Sequence, residues 1–269
     1  TEAVKKVLEE IKKGDWTEEA TMIRIYGHLD KAKAVDRKFV NTGHNYFRDV
    51  EERYRLMGEQ QNTSQTFTSS FATIDNSLGG GLRRGELASV IALSGAGKSL
   101  WLSQAAWRNT LLGHKVLYIS TEMSEIAIAQ RLDALYSTQN VKTLYENQHI
   151  VKPIIKKTAQ DFLNNQDVAT DNMLIIKQFA PKSANVDTFH ALLVQLQMAG
   201  WTPDMVCLDY MGECKLTPGV PKHESLEETV SKFRGLAVEL NFFGLTAMQP
   251  NRSAREAQKE GIIDDSNLG

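Results

Sequence analysis

The chain has 269 residues, 42% hydrophobic and 24% charged, enough to bury a sizeable core in one or two globular domains. Its formal net charge of −2 excludes recruitment of nucleic acid by the overall field, so any such binding has to come from a local patch. No apolar run approaches the roughly 18 residues that span a bilayer, and the charged start Thr1 to Lys6 lacks a signal-like segment, so the expectation is a cytoplasmic protein with no membrane partner.

The first sixty residues read as a helical arm. Val4, Val7, Leu8 and Ile11 fall on one helical face, and Gly14 ends that stripe. Asp15 with Glu18 resembles a capping box, Ile23, Tyr26 and Ala34 continue a second stripe, and Phe47, Val50, Tyr54 and Met57 form a third. With twelve Lys/Arg and twelve Asp/Glu in residues 1 to 60, the arm is charged, and its stripes need a surface to cover. That surface is either its own core or a neighbouring subunit. The polar stretch Gln60 to Thr66 then reads as a linker, which makes residues 1 to 60 one region and 61 to 269 another.

From about residue 67 the pattern alternates. Strands are expected at Leu87 to Leu93, Lys115 to Ser120, Met173 to Lys177, Asp204 to Asp209 and Phe243 to Met248. Helices are expected at Ser99 to Leu112, closed by Gly113, and at Ser124 to Tyr136, Val186 to Ala199 and Leu226 to Leu240. Near-continuous apolar strands separated by helices call for an α/β fold, a mostly parallel twisted sheet with helices on both faces. Such sheets bind ligands at the carboxyl ends of their strands. Cys207 sits in an apolar strand and reads as core, and neither it and Cys214 nor the six histidines show a disulfide or metal-ligand spacing.

The run Ala92-Leu93-Ser94-Gly95-Ala96-Gly97-Lys98-Ser99 follows one of these strands and opens one of these helices, the context of a phosphate-binding loop. Backbone N–H groups of Ser94, Gly95, Ala96, Gly97, Lys98, Ser99 and Leu100 would wrap the phosphates of a nucleoside triphosphate, with the helix pointing its positive end at them. Lys98 would reach the β- and γ-phosphates and Ser99 would ligate Mg²⁺. Ala92 stands where the motif has its first glycine. Asp209 ends an apolar strand, the placement of a Walker B aspartate that holds Mg²⁺ through Ser99 and water. Glu122 follows another strand, where it could polarise the attacking water or serve only as an acid near a helix start. Gln249 follows a third, where an amide could meet the γ-phosphate or simply face solvent.

The segments Gly80 to Leu87, Ala92 to Ser99, Ser120-Thr121-Glu122-Met123, Leu208-Asp209-Tyr210 and Gln249-Pro250-Asn251-Arg252 resemble, in order, the motifs of the DnaB-type replicative helicases, hexameric RecA-like motors that unwind DNA. Members of that family also carry alanine at the first loop position. The resemblance spans about residues 67 to 269 and implies a RecA-like P-loop NTPase core, ATP-driven translocation on single-stranded DNA, a homo-hexamer and a primase or loader as partner. It implies Glu122 as catalytic base, Asp209 as organiser of Mg²⁺ and Gln249 as γ-phosphate sensor, and it singles out Arg131 without a role. It assigns DNA contact to the loops Met211 to Glu224, with Lys215, Lys222 and His223, and Asn251 to Gly261, with Arg252, Arg255 and Lys259.

The short helical arm implies a phage-like system, in which the primase partnership is open. A first residue of threonine is read as an excised fragment, and the family's arginine finger is expected beyond Gly269. Two other readings stand beside the helicase. A RadA- or KaiC-like ATPase would share Leu78 to Leu87, and a nucleotide-switched scaffold would bind ATP without productive hydrolysis.

Overall fold

The computed structural model describes residues 9, 45–60, 66–164 and 173–249. The chain divides into two compact units, Thr1–Asn62 and Thr63–Gly269. In the first unit, the stripes expected up to residue 44 lie outside the described residues. The third stripe forms α1 (Val50–Gln60), with Arg53 over the Tyr46 ring at 4.6 Å. Among the described residues of that unit its apolar side chains are uncovered, Phe47 at 87% and Tyr54 at 66% exposure.

The second unit is built on five parallel strands, β1 (Leu87–Ile91), β2 (Val116–Ser120), β3 (Leu174–Gln178), β4 (Met205–Asp209) and β5 (Phe243–Met248), in the order β1-β5-β4-β2-β3. Central β2 and β4 are buried at every residue, which is why both are continuous apolar runs. Successive side chains go to opposite faces. Leu117, Ile119, Val206 and Leu208 join a core with α6 (Val186–Met198) and α7 (Lys222–Glu239), through Phe189, Leu193 and Phe233. Val116, Tyr118, Met205 and Cys207 join a second core with α3 (Lys98–Leu111) and α4 (Glu125–Ser137), through Leu102, Ala105, Ile128 and Leu132. Each such buried aliphatic side chain contributes about 1.5 to 3 kcal/mol relative to exposure. The expected parallel sheet with helices on both faces is therefore present.

Local chemistry sets the helix ends. Ser124 caps α4 by accepting the Ala127 N–H at 3.2 Å, and Asn185 with Thr188 forms a capping box on α6. Strand β1 stops at Ile91 rather than Leu93, because the chain turns there, with the Ala96 N–H on the Leu93 carbonyl at 3.2 Å.

Helix α7 starts at Lys222, four residues before the expected Leu226, since Pro221 has a φ of −53° already suited to a helix entrance. Lys222 and His223 therefore sit on a first helical turn, not in a loop. Two helices were not anticipated, α2 (Ala72–Ser77) and α5 (Gln148–Asn164). Pro153 inside α5 reads as a breaker in sequence. The helix forms around it because Val151, Ile154, Ile155 and Phe162 share a face, and α5 packs on α4.

The amino ends of the strands are tied by a polar network. Asp204 pairs with Arg84 and accepts the Lys115 N–H at 2.7 Å, while Arg84 also donates to the Asn241 carbonyl at 3.0 Å. Beside it His114 lies 4.4 Å from the Phe67 ring, its Nε2 3.2 Å from the Thr66 carbonyl oxygen. None of the described helices is long and apolar enough to cross a membrane.

Candidate nucleotide-binding site

At the carboxyl ends of the strands the chain leaves β1 and curls into the start of α3. Gly95 and Gly97 have φ values of 80° and 92°, a left-handed backbone that side chains resist. A Cβ at either glycine would meet open space, so the requirement is conformational rather than steric. Ser94, Gly95, Ala96 and Gly97 are exposed, which leaves the loop accessible to a ligand. Lys98 is buried, and its ammonium donates to the carbonyls of Ala92 and Leu93, both at 2.8 Å.

Asp209 is the electrostatic centre, 1% exposed at the end of β4. The Ser99 hydroxyl donates to its Oδ1 at 3.1 Å and the Tyr118 hydroxyl to its Oδ2 at 3.0 Å. Burial raises the carboxyl above its ordinary range, opposed by those two hydrogen bonds and by the positive charges of Arg131 and Lys98. Burial, with the Asp209 charge added, pushes the Tyr118 hydroxyl well above the phenol range, so it remains a donor. Two hard oxygen donors, a hydroxyl and a carboxylate side by side, suit Mg²⁺, whose remaining ligands would be phosphate oxygens and water.

Thr121 fixes the neighbouring strand exit. Its N–H donates to the Asp209 carbonyl at 2.8 Å, its hydroxyl donates to the Tyr210 carbonyl at 3.0 Å and accepts the Tyr210 N–H at 3.2 Å. The Met123 N–H donates to the Ser120 hydroxyl at 2.8 Å. Glu122 is thus carried on a backbone pinned on both sides while its own side chain is exposed. Gln249 follows β5, whose Met248 pairs with Ile91 in register, so it lies next to the entry of the phosphate loop. Ser99, Asp209, Lys98, Glu122 and Gln249 are gathered at one end of one sheet.

Two residues join them that the sequence did not assign. Tyr118 lies two positions before the end of β2, on the face where Asp209 also points, and a tyrosine inside an all-apolar strand was the available signal. Arg131 on α4 acts on Asp209 electrostatically, and its Nη1 is buried with no hydrogen-bond partner among the described residues.

The expected DNA-contact residues divide. Lys215 is exposed in the segment after β4, its N–H held by the Ala184 carbonyl at 2.7 Å. Lys222 and His223 are exposed on the first turn of α7. Arg252, Arg255 and Lys259 lie outside the described residues. Within the same segment Tyr210 donates to Glu213 at 3.1 Å, and Lys182 meets Glu213 from the other side at 3.4 Å.

Comparison with known proteins places the chain in a family. The chain is 29% identical over 227 residues to a DnaB-like replicative helicase of Enterobacteria phage T4, covering 82% of this chain and 46% of the relative, so it spans about half the length of that protein. It is 43% identical over 68 residues to the DNA repair protein RadA of Aquifex aeolicus, covering 25% of this chain and 15% of that one. Among solved structures it is similar to an ATPase domain, with a TM-score of 0.66, 16% identity and 83% and 78% of the two chains covered. It is similar also to a DnaB-like replicative helicase whose structure was described with its interactions with primase, with a TM-score of 0.65, 14% identity and 99% and 61% covered. Both structural likenesses speak for the fold, a RecA-like ATPase core. Residues 66–264 match the family described as the DnaB-like helicase C terminal domain, and the chain belongs to that family.

Proposed function

We propose that this chain is the motor of a replicative DNA helicase, hydrolysing ATP and translocating on single-stranded DNA as a homo-hexameric ring in the cytoplasm. The observation that carries the reading is the Ser99 hydroxyl on buried Asp209 at the mouth of the phosphate loop, within a chain of the DnaB-like helicase family. The division of labour is a motor at residues 61 to 269 behind an arm at residues 1 to 60.

In the proposed mechanism Lys98 exchanges the Ala92 and Leu93 carbonyls for the β- and γ-phosphate oxygens of ATP. The N–H groups of Ser94 to Leu100 hold the phosphate chain. Ser99 and Asp209 would hold Mg²⁺, which when bound neutralises the phosphates. Glu122 takes the proton of the attacking water, and its exposure lets water reach it before closure. Gln249 contacts the γ-phosphate and passes its loss to the segment that follows. Arg131 adds positive charge in the surroundings of Asp209.

Lys215, Lys222 and His223, with Arg252, Arg255 and Lys259, bind the DNA backbone with little sequence preference. The uncovered Phe47 and Tyr54 of the arm fit docking on a neighbouring copy. A primase or loader is the expected protein partner.

The test is a mass measurement of the particle with and without ATP, Mg²⁺ and single-stranded DNA, paired with ATP hydrolysis. A closed hexamer that hydrolyses ATP supports the helicase. An open filament would favour a RadA-like ATPase, the reading to which the local RadA similarity lends weight.

A further inference from the structure

Helix α5 is amphipathic and turns a face outward that carries three lysines, with exposed Asp161 one turn beyond Lys157. Its inner face carries buried Val151 and half-buried Ile154, Ile155 and Phe162 against α4. The outer side carries exposed Lys152, Lys156 and Lys157, the first two one helical turn apart, about 6 Å of rise. None of these three lysines forms an ion pair among the described residues, and Lys152 donates only to the neutral Gln148 amide at 2.6 Å. The nearest acids along the segment are Glu146 and Asp161, while the whole chain has more acids than bases, 33 to 31. Of the acids on α4, Glu125 is engaged by the Gln178 N–H at 3.0 Å and Asp133 is partly buried. Immediately before the helix, Tyr145 stands 83% exposed beside buried Leu144.

We infer that the outer face of α5, with Tyr145 at its entrance, is a second contact surface for single-stranded DNA, separate from the segment after β4. Exposed ammonium groups on a helix entered past an exposed aromatic ring suit a flexible single strand, the cations taking phosphates and the ring stacking a base. An acidic protein would engage the charges but has no equal use for the solvent-facing ring.

The two surfaces are on opposite sides of the sheet. Helix α5 rests on α4, whose Ile128 and Leu132 belong to the core under α3, whereas Met211 and Cys214 of the segment after β4 belong to the core under α6 and α7. One strand tracking Lys215 therefore does not reach α5 without passing around the domain. The inference rests on the proposed helicase reading, in which strand separation leaves more than one single-stranded segment near the motor.

The test uses the full chain and a labelled oligo-dT. Protection of Lys152, Lys156 and Lys157 from an amine-reactive reagent, read by mass spectrometry on the unaltered protein, is expected to be stronger with oligo-dT than with poly-glutamate of equal charge. Lys152→Glu, Lys156→Glu and Lys157→Glu combined are expected to weaken oligo-dT binding and to lower the log–log salt slope by about 2, from roughly 0.7 per single-strand phosphate contact. The exposed positions leave ATP binding unchanged. Lys215→Ala with Lys222→Ala is measured beside it.

Loss at α5, with or without loss at Lys215 and Lys222, supports the inference, and loss at α5 alone would remove the segment after β4 from the DNA path. Parent affinity and slope in the α5 variant overturn it, while any loss at Lys215 and Lys222 would leave the helicase reading standing. Protection by poly-glutamate with none by oligo-dT overturns it in favour of an acidic protein partner.

Discussion

Two aspartates bracket β4, and their surroundings differ in kind. Asp204, just before the strand, is met by a guanidinium and a backbone N–H, both fixed parts of the protein. Asp209, at the other end, accepts hydrogen bonds among the described residues from two neutral hydroxyls, with the charges of Arg131 and Lys98 acting on it without a hydrogen bond, and burial works against its charge. At the amino end the Asp204 charge is met at folding, although Arg83 Nε before β1 is also buried without a hydrogen-bond partner among the described residues. The carboxyl end holds a costly carboxylate, an unpartnered arginine nitrogen and a lysine on its own loop carbonyls, a set that a phosphate and a cation would complete.

The sharpest way to break this contrast is at the chemistry itself. Glu122→Gln should keep ATP binding and lower turnover by about 10² to 10⁴, because an amide packs alike but takes no proton. Nucleotide binding by fluorescence and steady-state hydrolysis separate the two, and parent-level turnover would remove Glu122 from the role. Lys98→Ala in the same assays should lose nucleotide binding.

Next in size, the two aspartates should respond oppositely when made neutral. Asp204→Asn is expected to lower stability by about 1 to 2 kcal/mol, since it strips the partner from half-buried Arg84. Asp209→Asn should raise the unfolding midpoint of the nucleotide-free chain and abolish the stabilisation that ATP with Mg²⁺ brings. The sign follows from linkage. A carboxyl whose folded pKa is raised binds its proton more readily folded than unfolded, so the chain with Asp209 gains stability as pH falls through that raised value. Thermal melts of both variants with and without nucleotide check the pair, and a drop in both without nucleotide would dissolve the distinction.

Smaller is Tyr118→Phe, which takes one donor from Asp209. About 1 kcal/mol, roughly fivefold in affinity for ATP with Mg²⁺, is expected in a titration. Smallest is a pH effect at the amino end. Burial lowers the His114 pKa despite Asp204 and the Thr66 carbonyl, so the neutral ring is favoured on folding. Its contribution is full above the ordinary value of 6.5 and is lost as pH falls below it toward the lowered folded value. Melts of His114→Asn across that window should show a smaller pH dependence than the parent.

Much of the fold was legible because its signals are short-ranged. Strands β2, β4 and β5 were readable as apolar runs, and α3 and α6 as periodic stretches, the first closed by Gly113. Helix α5 was hidden by Pro153, whose local cost is overcome by packing on α4, a contact that no local pattern carries. The resemblance placed Lys222 and His223 in a loop, whereas Pro221 serves as the entrance of the helix that carries them.

By itself the sequence determined the phosphate loop, since Gly95, Gly97, Lys98 and Ser99 act through backbone conformation and neighbouring atoms within one turn. It also determined which residues could end a strand, as Asp209 does, or follow one closely, as Glu122 and Gln249 do, because β periodicity is read over a few positions. Only the tertiary structure decided that Ser99 donates to Asp209 across 110 residues, that Tyr118 shares that carboxylate and that Arg131 lies within its field. Those contacts follow from the order β1-β5-β4-β2-β3, which is set by the burial of whole strands and crossover helices against one another. An apolar run encodes that a strand will be buried, while its neighbours are chosen by the packing of the entire sheet.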